Sequence, residues 1–399
     1  MAEVKPKIQS YARIKVLGIG GSGTSAVNRM TELGIKGVEF IAINTDSQAL
    51  HNNQADQKVH IGKGATKGLG SGMNPELGRQ AAEESIEELE EVIGNSDMVF
   101  ITCGLGGGTG TGAAPIVAEL AKNKGILTVA VVTRPFTFEG SKRKEVAEAG
   151  YDNLKDKVDA IIAIQNDRIL QIIDKKTSLI DAFKTVDEVL RQGISGISDL
   201  ITTHGIVNAD FADVKAIMQD AGTAMMGIGR ASGENRAQEA AKLAINSPLL
   251  DMSLDGAKGV LFNITGGRDL GMFEIDEAAK VITKNIDPDA KVKFGAVVDD
   301  SFGDEIRITV IATGFDGASR NSPLSQVFEE PKKSFSPPAF FSSQGQQSAP
   351  VQHEARKPLF NPQPAQPKPS PSQAAYTPPA KQEEDDELEI PAFIRKKMK

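Results

Sequence analysis

Short apolar segments alternate with amphipathic segments along the first half of the chain. The apolar segments have the length and composition of buried strands: RIKVLGI, VEFIAINT, MVFITC, LTVAVVT and AIIAIQ. Between them, SAVNRMTELG and AAPIVAELAKNK carry apolar residues at helical spacing, and NPELGRQAAEESIEELEEVIG predicts one helix that ends at Gly94. Continuous apolar strands joined by such helices are typical of a parallel sheet covered on both faces. We therefore predict an α/β domain over residues 13–178.

A long helix is predicted over residues 179–203. Its apolar positions recur at helical spacing, at Leu179, Ala182, Phe183, Val186, Val189 and Leu190. Beyond it, the strand patterns GVLFNIT, KVKFGAVV and EIRITVIAT and the helix pattern DEAAKVITKNI predict a smaller α+β domain over residues 204–316. The long helix would join the two domains.

The composition changes after this second domain. Fourteen of the 20 prolines lie between Pro323 and Pro391, among serine, glutamine and alanine. Such a segment cannot bury a core, so residues 317–383 are predicted to be a disordered linker, and residues 1–12 are assigned as an N-terminal extension. Residues 384–399 combine an acidic cluster, four large apolar side chains and a basic end. This end is either a frayed terminus or a short docking peptide for partner proteins.

Charge and cysteine content narrow the class of protein. The net charge of -8 argues against a general nucleic-acid-binding surface, which is normally basic. The single cysteine, Cys103, excludes an intrachain disulfide and fits a reducing compartment; it ends an apolar run, so we interpret it as a buried apolar residue. No apolar run approaches the roughly 20 residues that span a bilayer. We therefore expect a cytoplasmic protein without direct membrane insertion.

A glycine-rich loop, GLGGGTGTG, lies between a predicted strand and a predicted helix at Gly104–Gly112. Six of its nine residues are glycine, which is more than a simple turn needs. A helix that begins after such a loop presents unpaired N–H groups and the positive end of its dipole, and glycines let an anion approach the backbone closely. Thr109 and Thr111 can add hydroxyl donors. The loop therefore predicts a phosphate site without the lysine of a P-loop.

Two further glycine loops favour a nucleotide with several phosphates. Gly18, Gly20 and Gly23 form a GxGxxG pattern, again between strand and helix, which by itself suggests an NAD-binding oxidoreductase with Asp46 as the ribose acid. The segment GKGATKGLGSGMNPELG is the third loop. One pyrophosphate needs one such loop, so three loops at the ends of one sheet favour a nucleotide that is contacted from several sides.

With these motifs the chain resembles the FtsZ family, the bacterial tubulin-like cell-division GTPases. The resemblance is carried by GGGTGTGAAP and the ordered motifs from Arg13 to Phe315, and it resumes in the last dozen residues. It implies a Rossmann-like GTP-binding domain, a long central helix, a smaller α+β domain and a disordered tail. It also implies hydrolysis of GTP to GDP and phosphate, with Mg²⁺ held by the nucleotide phosphates rather than by a dedicated protein cage.

The resemblance also assigns roles at the nucleotide. The glycine loops would contact the phosphates, Glu139 and Arg143 the ribose, and Asp187 the N1 and N2 groups of guanine. The complete set of implied GTP-binding residues is Gly20, Gly21, Ser22, Gly23, Thr24, Ser25, Asn44, Gly70, Gly72, Gly106, Gly107, Gly108, Thr109, Gly110, Thr111, Glu139, Arg143, Asn166, Phe183 and Asp187.

The segment NADFADVKAIM resembles the loop that in this family enters the nucleotide site of the next subunit. Asn208, Asp210 and Asp213 would then act on the neighbour's GTP, so that hydrolysis requires head-to-tail assembly. The spacing of Asp210 and Asp213 places them on one helical face. From the spacing alone, a solvated helix start with acids placed by the dipole is the favoured interpretation, and the resemblance reverses this preference.

The last residues resemble the family's C-terminal peptide, which binds membrane tethers and division regulators at the mid-cell division site. Its implied anchors are Leu388, Ile390, Pro391, Phe393 and Ile394. Four positions depart from the family pattern: Ser22 and Thr24 interrupt the first glycine run, Ser25 replaces an asparagine and Gln165 replaces a proline. These departures keep open a second hypothesis, a GTP-binding scaffold of this family that does not hydrolyse GTP.

Overall fold

The computed structural model describes residues 12–315, except 36, 175, 204, 206, 208, 251–253 and 285. Several predictions lie outside the described residues. They are the extension up to residue 11, Asn208, the linker over 317–383, and the peptide over 384–399 with its five apolar anchors.

The described strands form one sheet of ten strands. In chain order they are β1 Ile14–Ile19, β2 Val38–Asn44, β3 Gln57–His60, β4 Met98–Gly104, β5 Leu127–Arg134, β6 Ala160–Gln165, β7 Gly222–Ser232, β8 Gly259–Gly266, β9 Lys291–Val298 and β10 Glu305–Thr313. Their order across the sheet is β3-β2-β1-β4-β5-β6-β7-β10-β8-β9. The five strands predicted in the first half coincide with β1, β2, β4, β5 and β6 to within a residue.

Helices connect successive strands along most of the chain, as in other α/β folds. They are α1 Gly20–Glu32, α2 Ser47–His51, α3 Lys63–Thr66, α4 Pro75–Glu84, α5 Ile86–Ile93, α6 Gly108–Asn123, α7 Ser141–Lys155, α8 Asn166–Ile169, α9 Leu179–Thr202, α10 Phe211–Met218, α11 Arg236–Ile245 and α12 Met272–Thr283. Short 3-10 turns cover Thr137–Glu139 and Asp300–Phe302. No helix in the described part of the chain is both long and apolar enough to cross a membrane.

The sheet continues from the first domain into the second through β7. Among strands β1 to β7, all neighbours in the sheet are parallel. Strand β10 is antiparallel to both β7 and β8, and β9 pairs in parallel with β8. Side chains alternate between the two faces of the sheet. Val16 and Phe100 pack on the side of α9, whereas Leu17 and Ile101 pack on the side of α6. The predicted α/β architecture with a second domain is confirmed, and a separate core around Phe262 belongs to that second domain.

Two local details differ from the predicted elements. The single helix predicted to end at Gly94 is two helices, because Ser85 leaves the helical conformation with φ -112° and ψ 26°. Its hydroxyl accepts from the Gly62 N–H at 3.2 Å, which ties the break to the start of α3. Helices α1 and α6 begin inside the glycine runs, at Gly20 and Gly108, several residues before the apolar periodicity starts.

Candidate nucleotide site

The glycine loops meet in a cleft at the carboxyl ends of β1, β4, β5 and β6. The cleft consists of two adjoining cavities of about 320 and 240 Å³, which share Gly21, Ser22, Gly104 and Arg143. Fourteen of the predicted GTP-binding residues line it: Gly21, Ser22, Ser25, Asn44, Gly70, Gly107, Gly108, Thr109, Gly110, Glu139, Arg143, Asn166, Phe183 and Asp187. Ligands of open α/β sheets bind at this edge, because neighbouring loops diverge there and leave a crevice.

Two helix N-termini open into the smaller cavity without a side-chain cap. The residue before α1 is Ile19 and the residue before α6 is Gly107, and neither provides a capping hydrogen bond. By contrast, Asp46 caps α2 and Asn74 caps α4. The first N–H groups of a helix lack intrahelical partners, and the helix dipole adds partial positive charge at that end. Two uncapped N-termini facing one cavity therefore make a site for more than one phosphate group.

The glycines of the loops have two different tasks. A Cβ on Gly21 would meet no other atom within 4 Å, so the lack of a side chain there leaves the cavity open. A Cβ on Gly112 would instead collide with the backbone carbonyl of Pro75, where α4 packs against α6. Only part of the glycine content therefore serves the ligand, and the remainder allows two helices to pack closely.

Six predicted binding residues do not line the cleft: Gly20, Gly23, Thr24, Gly72, Gly106 and Thr111. Thr111 accepts a hydrogen bond from the Gly106 N–H at 2.9 Å, and Thr24 donates to the carbonyl of Gly20 at 2.9 Å. These hydroxyls hold the backbone of the loops. The structure thus places Thr24 and Thr111 as supports of the loop conformation, whereas Thr109 faces the cavity.

The hydroxyl of Thr109 belongs to a small polar cluster that the sequence did not reveal. Its oxygen lies 2.6 Å from that of Thr45 and 2.9 Å from that of Ser71. Ser71 directly follows Gly70 in the third glycine loop and lines the smaller cavity. The cluster joins the loop at Gly104–Gly112 and the third glycine loop to the residue that follows β2. Only the folded chain brings these three residues together, since they are distant in sequence.

The larger cavity combines an aromatic wall with acidic groups. Phe183 is partly exposed and makes an edge contact with Phe136, with ring centroids 5.6 Å apart. Glu139 accepts from the Phe136 N–H at 2.8 Å and pairs with Arg143 at 3.1 Å. Arg143 lies at the junction with the smaller cavity. One end of the cleft can therefore hold a flat ring and a sugar, and the other end can hold anions.

Three buried polar atoms of the cleft lack hydrogen-bond partners. They are Asn44 Nδ2, Asn166 Oδ1 and Arg143 Nε. A buried polar atom without a partner costs free energy, so an orphaned group in a cavity indicates a ligand that completes it. The donors near the phosphate side and the acceptor near the ring side fit a nucleotide with its phosphates at the helix N-termini.

Arg29 does not line the cleft but contacts Asp187, which does, and sequence analysis missed this contact. Its Nε lies 3.3 Å from Oδ2 of Asp187, whose side chain is 18% exposed. Burial raises the pKa of Asp187, and the nearby guanidinium opposes that rise. Arg29 lies on the polar side of α1 with no motif around it, so no local signal marks it.

Asp210 and Asp213 lie at the start of α10 and do not line the cleft. Asp210 caps the helix, since its Oδ1 accepts from the Asp213 N–H at 2.7 Å. Asp213 Oδ1 pairs with Lys293 Nζ of β9 at 2.8 Å. The residues that the structure describes contain no group of three or more His, Cys, Asp or Glu side chains that could hold a metal ion.

The acids and the cleft lie at opposite ends of the sheet. Helix α9 begins at the cleft with Phe183 and Asp187, and its last residue, Thr202, packs near Gly37 at the amino end of β2. From Asp187 to Thr202 the helix rises about 22 Å at about 1.5 Å per residue. Helix α10 follows and ends beside the amino ends of β5 and β6, where Asp220 pairs with Lys122 at 3.1 Å.

Comparison with known proteins identifies the family to which both domains of this architecture are similar. Residues 13–174 match the Tubulin/FtsZ family, GTPase domain, and residues 222–316 match the FtsZ family, C-terminal domain. FtsZ from M. jannaschii, solved as an empty dimer, shares 46% identity with a TM-score of 0.75, over 77% of this chain and 90% of that chain. A mutant of that protein gives the same identity, TM-score and coverage of this chain, over 93% of its own length.

A more distant structure shares the fold alone. CetZ2 from Haloferax volcanii, solved as a GTPγS-bound protofilament, has 19% identity and a TM-score of 0.64, over 75% of this chain and 92% of that chain. The oxidoreductase alternative has no support, because the residues that contain the glycine loops match a GTPase domain. Since 46% identity extends over 77% of the chain and both domains match in order, this protein belongs to the Tubulin/FtsZ family and carries its GTPase domain.

Proposed function

We propose that this protein is a cytoskeletal GTPase that polymerises head to tail, each subunit completing the GTPase site of the next. The observation that carries the proposal is the separation of the nucleotide cleft from Asp210 and Asp213. Both acids lie at the opposite end of the sheet from the cleft, so they cannot reach a nucleotide bound in their own chain. When subunits stack head to tail, the Asp210 and Asp213 end of one subunit meets the cleft end of the next. Such a contact can repeat along an open filament.

The rim of the cleft supports a contact with a second copy. Leu69, Met73 and Phe138 stand around it with exposures of 85%, 51% and 64%. Phe138 stacks on Phe136 with ring centroids 4.9 Å apart, so its orientation is held. Apolar side chains grouped around a polar cleft favour association. Similar proteins are described as an FtsZ dimer and as a CetZ2 protofilament, which agrees with self-association.

In the proposed reaction, GTP is bound from both ends of the cleft. The N–H groups of Gly21 and Gly107 to Gly110 hold the phosphates, and Asp187 accepts from N1 and N2 of guanine while Phe183 packs on the ring. The unpaired Asn166 Oδ1 accepts a hydrogen bond from a donor of the base. Mg²⁺, bound by the phosphates, supplies charge neutralisation in the transition state.

The neighbouring subunit would complete the hydrolytic site. Its Asp210 and Asp213, with Asn208 in the same segment, orient a water molecule toward the terminal phosphorus. The water oxygen forms a bond to that phosphorus, the bond to the GDP oxygen breaks, and the water proton leaves with the products. Little covalent participation by the protein is needed, since positioning and charge stabilisation supply most of the rate.

The wider role is proposed from the family. We infer assembly into the division ring at mid-cell in the cytoplasm, with the peptide over 384–399 binding membrane tethers and regulators through Leu388, Ile390, Pro391, Phe393 and Ile394. The acidic composition of the chain supports protein partners rather than nucleic acid. The linker over 317–383 would let that peptide reach a partner away from the filament.

The test is phosphate release from GTP with Mg²⁺ over a series of protein concentrations, with ATP as the control nucleotide. We expect a GTP-selective rate per subunit that is close to zero at low concentration and rises above a threshold. Asp213→Ala should abolish turnover while GTP remains bound. A rate per subunit that is independent of concentration, or turnover that survives Asp213→Ala, would contradict the proposal.

A GTP-binding scaffold that does not hydrolyse GTP is the second candidate. The observation that favours it is the position of the Ser22 side chain in the cleft. The Ser22 side chain lines both cavities at their junction, and a Cβ on Gly104 would lie 2.6 Å from its Oγ. Ser25 also lines the larger cavity. The same experiment separates the candidates, because a scaffold binds GTP and releases no phosphate at any concentration.

A further inference from the structure

We propose that Lys293 is a positioning residue for the acids that reach the neighbouring subunit's GTP. Its ammonium group holds the Asp213 carboxylate in place and offsets the negative charge that Asp210 and Asp213 bring to the triphosphate. The proposal rests on the function proposed above and adds a residue from a different element of the fold.

The geometry places Lys293 directly on the acid pair. Its Nζ lies 2.8 Å from Asp213 Oδ1, and the two side chains are 47% and 30% exposed. The hydrogen bond to Asp213 raises the pKa of Lys293, and Asp210 adds to the effect through its charge. The lysine is therefore a cation paired with Asp213, with Asp210 close enough to contribute through its charge, at the start of α10.

The backbone around this pair fixes its position. Lys293 belongs to β9, which pairs with β8 over eight residues, and the start of α10 is fixed by the cap that Asp210 provides. The ion pair engages Oδ1 of Asp213, and among the described residues Oδ2 has no hydrogen-bond partner. One oxygen is thus held while the other can face a water molecule across the subunit contact.

Charge explains why such a lysine is useful. Two carboxylates that approach a triphosphate repel it, and this repulsion is strongest where water is excluded between subunits. A cation built into the same surface lowers that repulsion in every assembled contact. Exposed ion pairs contribute little to the stability of a single subunit. The benefit of the pair should therefore appear in assembly and turnover rather than in folding.

The test compares Lys293→Gln with Lys291→Gln. Lys291 lies two residues earlier on the same strand, so both changes remove one positive charge from the same face. Among the described residues no ion pair reaches Lys291, which makes it the matched control. Lys293→Arg keeps a cation that can contact Asp213. For each protein we would measure turnover per subunit above the assembly threshold, the threshold itself, GTP affinity below the threshold, and the thermal midpoint.

We expect Lys293→Gln to lower turnover per assembled subunit about two- to fivefold, the range that an exposed ion pair supports. GTP affinity below the threshold and the thermal midpoint should stay at parental values, because the nucleotide cleft lies at the other end of the subunit. Lys293→Arg should restore most of the turnover, and added salt should shrink the difference.

Equal turnover of Lys293→Gln and Lys291→Gln, in a parent that shows the concentration threshold, would overturn this inference alone. Loss of thermal stability in proportion to the loss of turnover would also overturn it, since that pattern marks a purely structural ion pair. A parent without a threshold, or one that is insensitive to Asp213→Ala, would instead refute the proposed function. The two failures are therefore distinguishable.

Discussion

Replacing Arg29 by alanine should weaken GTP binding and make it more sensitive to pH. Arg29 Nε is 3.3 Å from Asp187 Oδ2, and it opposes the rise in the Asp187 pKa that burial causes. Without this cation, the pKa of Asp187 should rise further. A protonated Asp187 loses the charge with which it accepts from N1 and N2 of guanine, so the bound state loses more than the free protein.

The size of the effect follows from the exposure of the pair. A hydrogen bond to a charged group contributes about 1.5–3 kcal/mol when it is well shielded. Arg29 is 35% exposed, so water screens part of this value. We therefore expect a loss of about 1.4 kcal/mol, which is about a tenfold rise in Kd. Because the ionised carboxylate is the binding form, affinity should fall as the pH drops toward the Asp187 pKa, and the fall should begin at a higher pH in Arg29→Ala.

The assay is equilibrium binding of GTP to unassembled protein between about pH 5 and 8. Arg29→Lys serves as the control, because it keeps a cation on α1. ITP, which lacks the 2-amino group of guanine, serves as a second ligand. The preference for GTP over ITP should shrink as Asp187 is protonated. Parental affinity together with a parental pH profile in Arg29→Ala would refute this account of how the carboxylate is kept ionised.

Three further predictions address packing, protonation and the tail. Gly112→Ala should destabilise the fold by about 1–3 kcal/mol in denaturant unfolding, because the new methyl group meets the carbonyl of Pro75; Gly21→Ala should leave unfolding unchanged and weaken GTP binding. Burial raises the pKa of Asp199 to about 6. The neutral carboxyl therefore stabilises the folded protein at low pH, and this contribution to the free energy of unfolding is lost as the pH rises from about 4 to 6. Asp199→Asn should therefore raise the free energy of unfolding relative to the parent at neutral pH and lose this advantage near pH 4; an equal gain at both pH values would contradict the assignment. Removal of residues 384–399 should leave GTP turnover near normal and abolish capture by a membrane tether, and a large loss of turnover would show that this segment is not a separate module.

Strands and phosphate loops were accessible from the sequence because their signals are local. A buried parallel strand needs only its own run of apolar residues, and β4 and β5 were placed to within a residue for that reason. A glycine loop between a strand and a helix specifies its own geometry. The prediction that Cys103 is buried is confirmed in the same way, and burial raises the pKa of its thiol to about 12.

Other features depended on contacts between distant segments. Ser85 interrupts the predicted helix, and its hydroxyl accepts from the distant Gly62 N–H; no periodicity within the helix predicts that contact. Strand β7 carries glycines and methionines that lack a strong strand pattern, and it is a strand because β6 and β10 pair with it. Thr111 and Thr109 look alike in the sequence, yet the first supports the loop and the second faces the cavity.

The sequence by itself determined the order of strands and helices, the family, and the positions of the phosphate loops, because each of these rests on residues that are close in the chain. Only the tertiary structure decided which loop residues face the ligand, which cations stand beside Asp187 and Asp213, and that the acids lie at the far end of the sheet from the cleft. Arg29 and Asp187 are 158 positions apart, and Asp213 and Lys293 lie on a helix and a strand that meet only in the fold. Such pairs are set by the packing of whole elements, which no short stretch of sequence encodes.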